Sequence, residues 1–313
     1  MKFRSRIFFP SIIIISIAVF SCAQPKVGKP KEDNTQSSYE GFWNRKGTIQ
    51  LVNGIPVDTI LIKDSNNPDY KQVKVFVDGN MVWLNNNKDS LLPWKGSSGG
   101  YGKFKINSET SITETISHGT GWFGAYIKNH KDSLNVSGMV FNLTTDLNGD
   151  EYSQKNSPDS EFMEYWERSP KLAPKSKIDG AWKRVYEIAY INDVPVDTVS
   201  VASDVILDVK IFSNGRYSYQ VDQTQYAEED SELFGGYGGY GTYEFDEENN
   251  ILKEYQEWGS GMNLAENEPK TSLDQHTMTF YSNDMFLQVS KTSIGVLEDK
   301  NATGRGVVYQ RIQ

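Results

Sequence analysis

Val73-Lys74-Val75-Phe76-Val77-Asp78-Gly79 and Val209-Lys210-Ile211-Phe212-Ser213-Asn214-Gly215 are two copies of one pattern. In the first, Val73, Val75 and Val77 alternate with Lys74, Phe76 and Asp78. In the second, Val205, Leu207, Val209 and Ile211 alternate with Ile206, Asp208 and Lys210. A period of two predicts β-strands. Asp78-Gly79 and Asn214-Gly215 then predict tight hairpin turns, because both residues tolerate the positive φ that such turns need. Tyr217, Tyr219 and Val221 resume the alternation after the second turn. Met278 and Phe280, then Met285, Leu287 and Val289, read as another hairpin around Ser282-Asn283-Asp284.

Further copies lie on either side. Gly41-Phe42-Trp43 matches Gly180-Ala181-Trp182, and Asn53-Gly54-Ile55-Pro56-Val57-Asp58-Thr59 matches Asn192-Asp193-Val194-Pro195-Val196-Asp197-Thr198. Gly99-Gly100-Tyr101-Gly102 matches Gly238-Gly239-Tyr240-Gly241. Glu114, Gly119 and Gly121 match Glu254, Gly259 and Gly261, and Tyr165-Trp166-Glu167-Arg168 resembles Val308-Tyr309-Gln310-Arg311. These matches run in the same order along the chain, so the body is an internal duplication. Its period is too long for a solenoid and reads as tandem domains. The division is 39–170 and 176–313, with 171–175 as a Pro/Lys-containing linker. Regularly spaced short strands, with no long helical period, indicate barrels or sandwiches. A short helix is conceivable only at 226–234.

Each unit opens on Gly-x-Trp and closes on an aromatic residue near an Arg. In this it resembles the lipocalin-like (calycin) barrels. The resemblance implies an all-β fold of two tandem antiparallel up-and-down barrels. It also implies that Trp43 pairs with Arg168 and Trp182 with Arg311 to close one end of each barrel. The guanidinium would stack on the indole and satisfy nearby carbonyls.

The N-terminus reads as an address. Lys2, Arg4 and Arg6 precede an apolar stretch from Ile7 to Phe20, too short and too abruptly ended for a stable span. Val19-Phe20-Ser21-Cys22 follows, with the only cysteine of the chain. It resembles a bacterial lipobox, which implies a signal peptide at 1–21 and lipidation of Cys22 by acyl chains such as palmitate. More than one chain is needed for firm anchoring. Ala23, rather than Asp, at the next position implies the outer membrane of a Gram-negative envelope. Residues 22–38, rich in Pro, Lys, Gln and Ser, read as a flexible tether. Cleavage would remove three of the 32 basic residues and leave 29 against 41 acidic ones, a net −12. So acidic a chain lacks the basic face that nucleic acid requires.

No motif announces chemistry. The Gly/Tyr tract at 235–241 is followed by a strand pattern, not the helix of a phosphate loop; a bulged loop or hairpin with left-handed positions is expected instead. Asp146, Asn148 and Asp150 start like a calcium loop, but Glu151 and Ser157 occupy its Gly and Glu positions, so a hairpin turn is expected. His118, His130 and His276 are far apart in sequence and fit no metal spacing. The acidic runs at 228–230 and 246–248 read as solvated loops. Asp58-Thr59-Ile60, Asp89-Ser90-Leu91, Asp132-Ser133-Leu134 and Asp197-Thr198-Val199 resemble an envelope O-glycosylation sequon, with turn chemistry as the plainer reading. No catalytic residue, metal or cofactor is expected; a His–carboxylate contact inside a barrel would revive an enzymatic reading. The expected function is an envelope-anchored lipoprotein that holds a small apolar ligand. Tyr217, Tyr219, Tyr237, Tyr240 and Trp258 are the expected ligand contacts. The alternative is a non-catalytic module that docks onto an envelope protein or glycan.

Overall fold

The structure is a computed structural model that describes residues 38–65, 70–86, 97–120, 123–124, 139–201, 207–222, 237–261, 272–290 and 303–313. Cys22, the signal segment, nearly all of the tether, His130, the acidic run at 228–230 and the expected helix at 226–234 lie outside the described residues. The first repeat runs β1 (Gly41–Val52), β2 (Ile55–Leu61), β3 (Lys71–Val77), β4 (Asn80–Asn86), β5 (Ser97–Ser108), β6 (Ser111–Thr120), β7 (Met139–Asn148), β8 (Glu151–Lys155) and β9 (Phe162–Arg168). The second runs β10 (Gly180–Ile191), β11 (Val194–Ser200), β12 (Leu207–Ser213), β13 (Arg216–Asp222), β14 (Tyr237–Asp246), β15 (Ile251–Gly261), β16 (Ser272–Ser282), β17 (Met285–Ser290) and β18 (Gly304–Arg311).

Each repeat is a closed, eight-stranded antiparallel barrel. In the first, β1 and β3 to β9 pair in chain order and β9 returns to β1; in the second, β10 and β12 to β18 do the same. Closure leaves these strands no free edge. Asn53-Gly54, Asp78-Gly79, Asn192-Asp193 and Asn214-Gly215 all adopt the positive φ of tight hairpin turns. The turn between β7 and β8, at Gly149-Asp150, occupies the calcium-like sequence, and Asp150 there pairs with Arg168 at 3.1 Å.

The glycine-rich motif departs from expectation, because it lies inside β5 and β14 rather than in a loop or hairpin. Its glycines are needed for close approach, not for positive φ. A Cβ on Gly100 would fall 2.3 Å from the Trp83 indole, and one on Gly239 would fall 2.3 Å from the Tyr219 ring. Gly102 and Gly241 sit at bulges where a Cβ would meet the carbonyl oxygens of Thr115 and Tyr255 at 1.9 and 2.0 Å. Two ring-over-glycine seats and two bulges account for the repeated Gly-Gly-Tyr-Gly.

The valine stripe of β3 points out of its barrel. Val73, Val75 and Val77, with Val82 and Leu84, meet Ala181, Val209, Ile211, Tyr240 and Trp258 in one buried cluster. The two barrels therefore share a joint, with β3 against β12 and β4 and β5 against β15. Phe42 and Tyr240 meet across it at 5.8 Å. Each fully buried aliphatic side chain stabilises such a joint by about 1.5–3 kcal/mol relative to exposure. Residues 35–313 accordingly form one compact unit. The segment after β9 is pinned as well: Leu172 N–H donates to Asn214 O at 2.9 Å, and Arg216 Nε donates to Pro170 O at 3.1 Å.

Candidate functional site

The alternation that sends Val73 and Val209 to the joint sends Lys74 and Lys210 into the barrels. Both lysines are buried, and both meet the glutamate that the repeat alignment pairs with them. Lys74 Nζ lies 2.8 Å from Glu114 Oε1, and Lys210 Nζ lies 2.9 Å from both oxygens of Glu254. This duplicated ion pair was missed in the sequence. Its signal was there: Lys at the same place in twin strands, and Glu114 aligned with Glu254.

Around that common pair the two interiors differ. In the first barrel, Lys74 also donates to Gln154 at 2.9 Å and faces the Trp166 ring at 5.3 Å. Trp43, Tyr152, Trp166, Phe76, Phe104 and Ile112 fill the space. Arg45 there is held by Glu164 at 2.9 Å and by Gln72 and Thr48. In the second barrel, the aligned positions of Thr48 and Gln72 carry Glu187 and Asp208. Arg184 pairs with Glu187 at 3.3 Å and Asp208 at 3.2 Å, and Arg305 reaches Glu187 at 3.1 Å. The strand partner of Ile112 is Leu143, but that of Leu252 is His276. The partner of Glu114 is Phe141, but that of Glu254 is Asp274.

These exchanges leave a cavity of about 380 Å³ in the second barrel, lined by Tyr217, Tyr219, Tyr237, Asp274, His276 and Gln288 among others. That volume lies at the small end of ligand pockets. Tyr217 and Tyr219 stack with planes 9° apart, and Tyr237 meets Tyr219 edge-on. His276 Nε2 lies 3.4 Å from Glu254 Oε2. His276 Nδ1 and Gln288 Oε1 are buried without a hydrogen-bond partner among the described residues.

Electrostatics separate the twin glutamates. Burial pushes Glu114 above the usual carboxylate range, and Lys74 only partly offsets it. Burial acts on Glu254 too, but Lys210 on both oxygens together with His276 outweighs it and holds Glu254 at about 2. Glu254 is therefore held as an anion beside His276, and this is the buried His–carboxylate contact named above as reviving an enzymatic reading. Burial, reinforced by neighbouring carboxylates, raises the hydroxyls of Tyr217 and Tyr219. Among the described residues, no group of three metal-ligating side chains converges.

Of the other expected site residues, Tyr240 and Trp258 face the joint, with ring centres 5.6 Å apart, and not the cavity. His118 bonds Ser117 Oγ at 2.9 Å, away from both interiors' ion pairs. At the closed ends, Arg168 lies 4.0 Å over the Trp43 ring and Arg311 lies 4.1 Å over Trp182. Arg168 also donates to the carbonyls of Glu40 and Ser38, and Arg311 to those of Asp179 and Lys177. Trp43 Nε1 donates to Tyr39 O at 2.8 Å, and Trp182 Nε1 to Ile178 O at 2.7 Å. The two plugs share the Arg-over-Trp stack, the pair of Arg-to-carbonyl bonds and the Trp Nε1 bond to a backbone carbonyl.

A comparison with protein-family models finds no match, and no curated protein matches the chain in sequence.

Proposed function

We propose that the chain is an envelope-anchored, lipocalin-like binding protein whose second barrel holds one small ligand. One observation carries this. The first barrel carries Thr48, Gln72, Phe141 and Leu143 at four positions where the second carries Glu187, Asp208, Asp274 and His276. Buried charges are a poor source of stability, and apolar side chains of similar volume often serve the fold as well or better. Charges added at these places, around a cavity, therefore serve recognition. The lining argues for a ligand with both a polar and an aromatic-compatible part, in place of a wholly apolar one. Anchoring through Cys22 rests on the basic, apolar and Cys order of residues 1–22, and placement at the outer membrane rests on Ala23 in place of Asp. The test is native mass spectrometry of the purified chain after exposure to envelope extract: one retained small molecule per chain supports the reading, and loss of the adduct when Val221→Trp fills the cavity places it.

A second reading has its own observation. The most closely duplicated stretch, at Pro56-Val57-Asp58-Thr59 and Pro195-Val196-Asp197-Thr198, contributes to no core. It lies on β2 and β11, the hairpin strands outside the closed barrels, where Ile55, Val57, Val194 and Val196 are 66%, 58%, 58% and 48% exposed. Asp58 and Asp197 each accept from the next residue's N–H at 2.8 Å. Two apolar hairpins that share Pro-Val-Asp-Thr on one chain suit docking onto an envelope protein. Replacing Val57 and Val196 with Lys would abolish crosslinking to that partner and leave cavity binding intact.

A further inference from the structure

The chemistry of the ligand can be narrowed, on the reading that the second barrel binds one. The cations of its interior are already spoken for. Arg184 is held by Asp208 and Glu187, Arg305 by Glu187, and Lys210 by both oxygens of Glu254. Three cations thus face Asp208, Glu187 and Glu254, His276 also stands 3.4 Å from Glu254, and one carboxylate has no such partner. That carboxylate is Asp274, exposed at the cavity wall and without an ion-pair partner among the described residues. Its strand neighbour in the ladder is Glu254, which is itself ionised. An anionic ligand would bring like charge to the unpaired Asp274 carboxylate.

The walls beside Asp274 fit the opposite sign. Tyr219 and Tyr237 stand edge to face at 6.2 Å, half-buried, in the cavity that the buried Tyr217 and the exposed Asp274 also line. Ring faces attract cations, and more strongly where water is excluded. Deeper in, Lys210 already uses this attraction, with its Nζ 5.9 Å from the Tyr217 ring and 5.6 Å from that of Tyr309. Gln288 Oε1, an acceptor 6% exposed with no donor, faces the same space. A buried acceptor without a donor is costly to leave unmet, and a ligand N–H would meet it.

We infer that the ligand carries an organic ammonium group, seated against the rings of Tyr219 and Tyr237 with Asp274 as its counter-ion. The test uses three molecules of one shape and three charges: choline, 3,3-dimethylbutan-1-ol and 3,3-dimethylbutanoate. Each is titrated into the purified chain by calorimetry. Choline binds at least tenfold more tightly than the alcohol, and the carboxylate shows no heat. Asp274→Asn weakens choline at least tenfold without moving the melting temperature, and Asp274→Glu restores part of the loss. Equal or tighter binding of the alcohol or the carboxylate, displaced by filling the cavity with Val221→Trp, overturns the cation assignment and leaves the cavity as a binding site. Silence from all three also overturns the cation assignment, and the extract experiment then decides separately whether the cavity holds anything.

Discussion

Replacing Lys210 with Met removes one partner of a buried ion pair and leaves the other in place. Lys210 and Glu254 are 6% and 5% exposed, and the ammonium spans both carboxylate oxygens at 2.9 Å. After the replacement, only His276 remains near that carboxylate, at 3.4 Å. Removing one member of such a pair costs about 3–5 kcal/mol, because an uncompensated charge stays buried. For a unit of this size, each kcal/mol moves the melting temperature by roughly 2–4 °C, so a fall of about 6–20 °C is expected. The double replacement Lys210→Met with Glu254→Leu removes both charges and regains most of the loss. The cost of the single change also shrinks as pH falls, since a protonated Glu254 needs no counter-ion. Guanidinium denaturation followed by tryptophan fluorescence measures all three. A cost under about 1 kcal/mol for the single change, or no recovery in the double, would refute the account of the pair as a tightly coupled buried unit.

The barrels should part company in acid. Glu254 is held at about 2 in the folded state, below its ordinary 4.5, so its stabilisation is present above pH 4.5 and is lost as pH falls toward 2. Glu114 is raised instead, so its contribution improves as pH falls through that raised value; hydrogen exchange at pH 3 and pH 7 should show β12 to β15 losing protection before β3 to β6. Gly239→Val would drive a branched side chain into the Tyr219 ring, at a cost of about 1–3 kcal/mol by thermal melting, and would shift Tyr219 enough to weaken any cavity ligand. Arg311→Ala removes the stacking on Trp182 and two charge-assisted bonds to carbonyls, costing about 2–4 kcal/mol by denaturant unfolding. Arg311→Lys recovers little of this, because an ammonium cannot stack and fork together; full recovery would show that charge alone matters there.

The strands and the duplication were legible because they are local. Val73-Lys74-Val75 alternates whatever it packs against, and Asp78-Gly79 turns whatever it joins. Which face of β3 is inside was not legible, because both faces are buried: the valines by the second barrel, Lys74 by its own. For the same reason the sequence did not show that two of the five expected ligand contacts, Tyr240 and Trp258, face the joint. Tyr217, Tyr219 and Tyr237 line the cavity, while Tyr240, between the ring seat at Gly239 and the bulge at Gly241, faces the joint. Gly-Gly-Tyr-Gly looked like a loop because glycine usually signals a turn. Here the cause is a ring from the neighbouring strand, which depends on strand register and not on local sequence. The polar lining was hidden for a related reason. Asp274 and His276 belong to no motif in the sequence, and only closure of the barrel brings them to the cavity wall.

The claim on which the account turns is that the second barrel, and not the first, is a binding site. Native mass spectra of the purified chain, taken after exposure to envelope extract with and without Val221→Trp, test it most directly. The account predicts one small adduct per chain, absent from the variant. No adduct on either protein, or an adduct that survives filling of the second barrel, would contradict it.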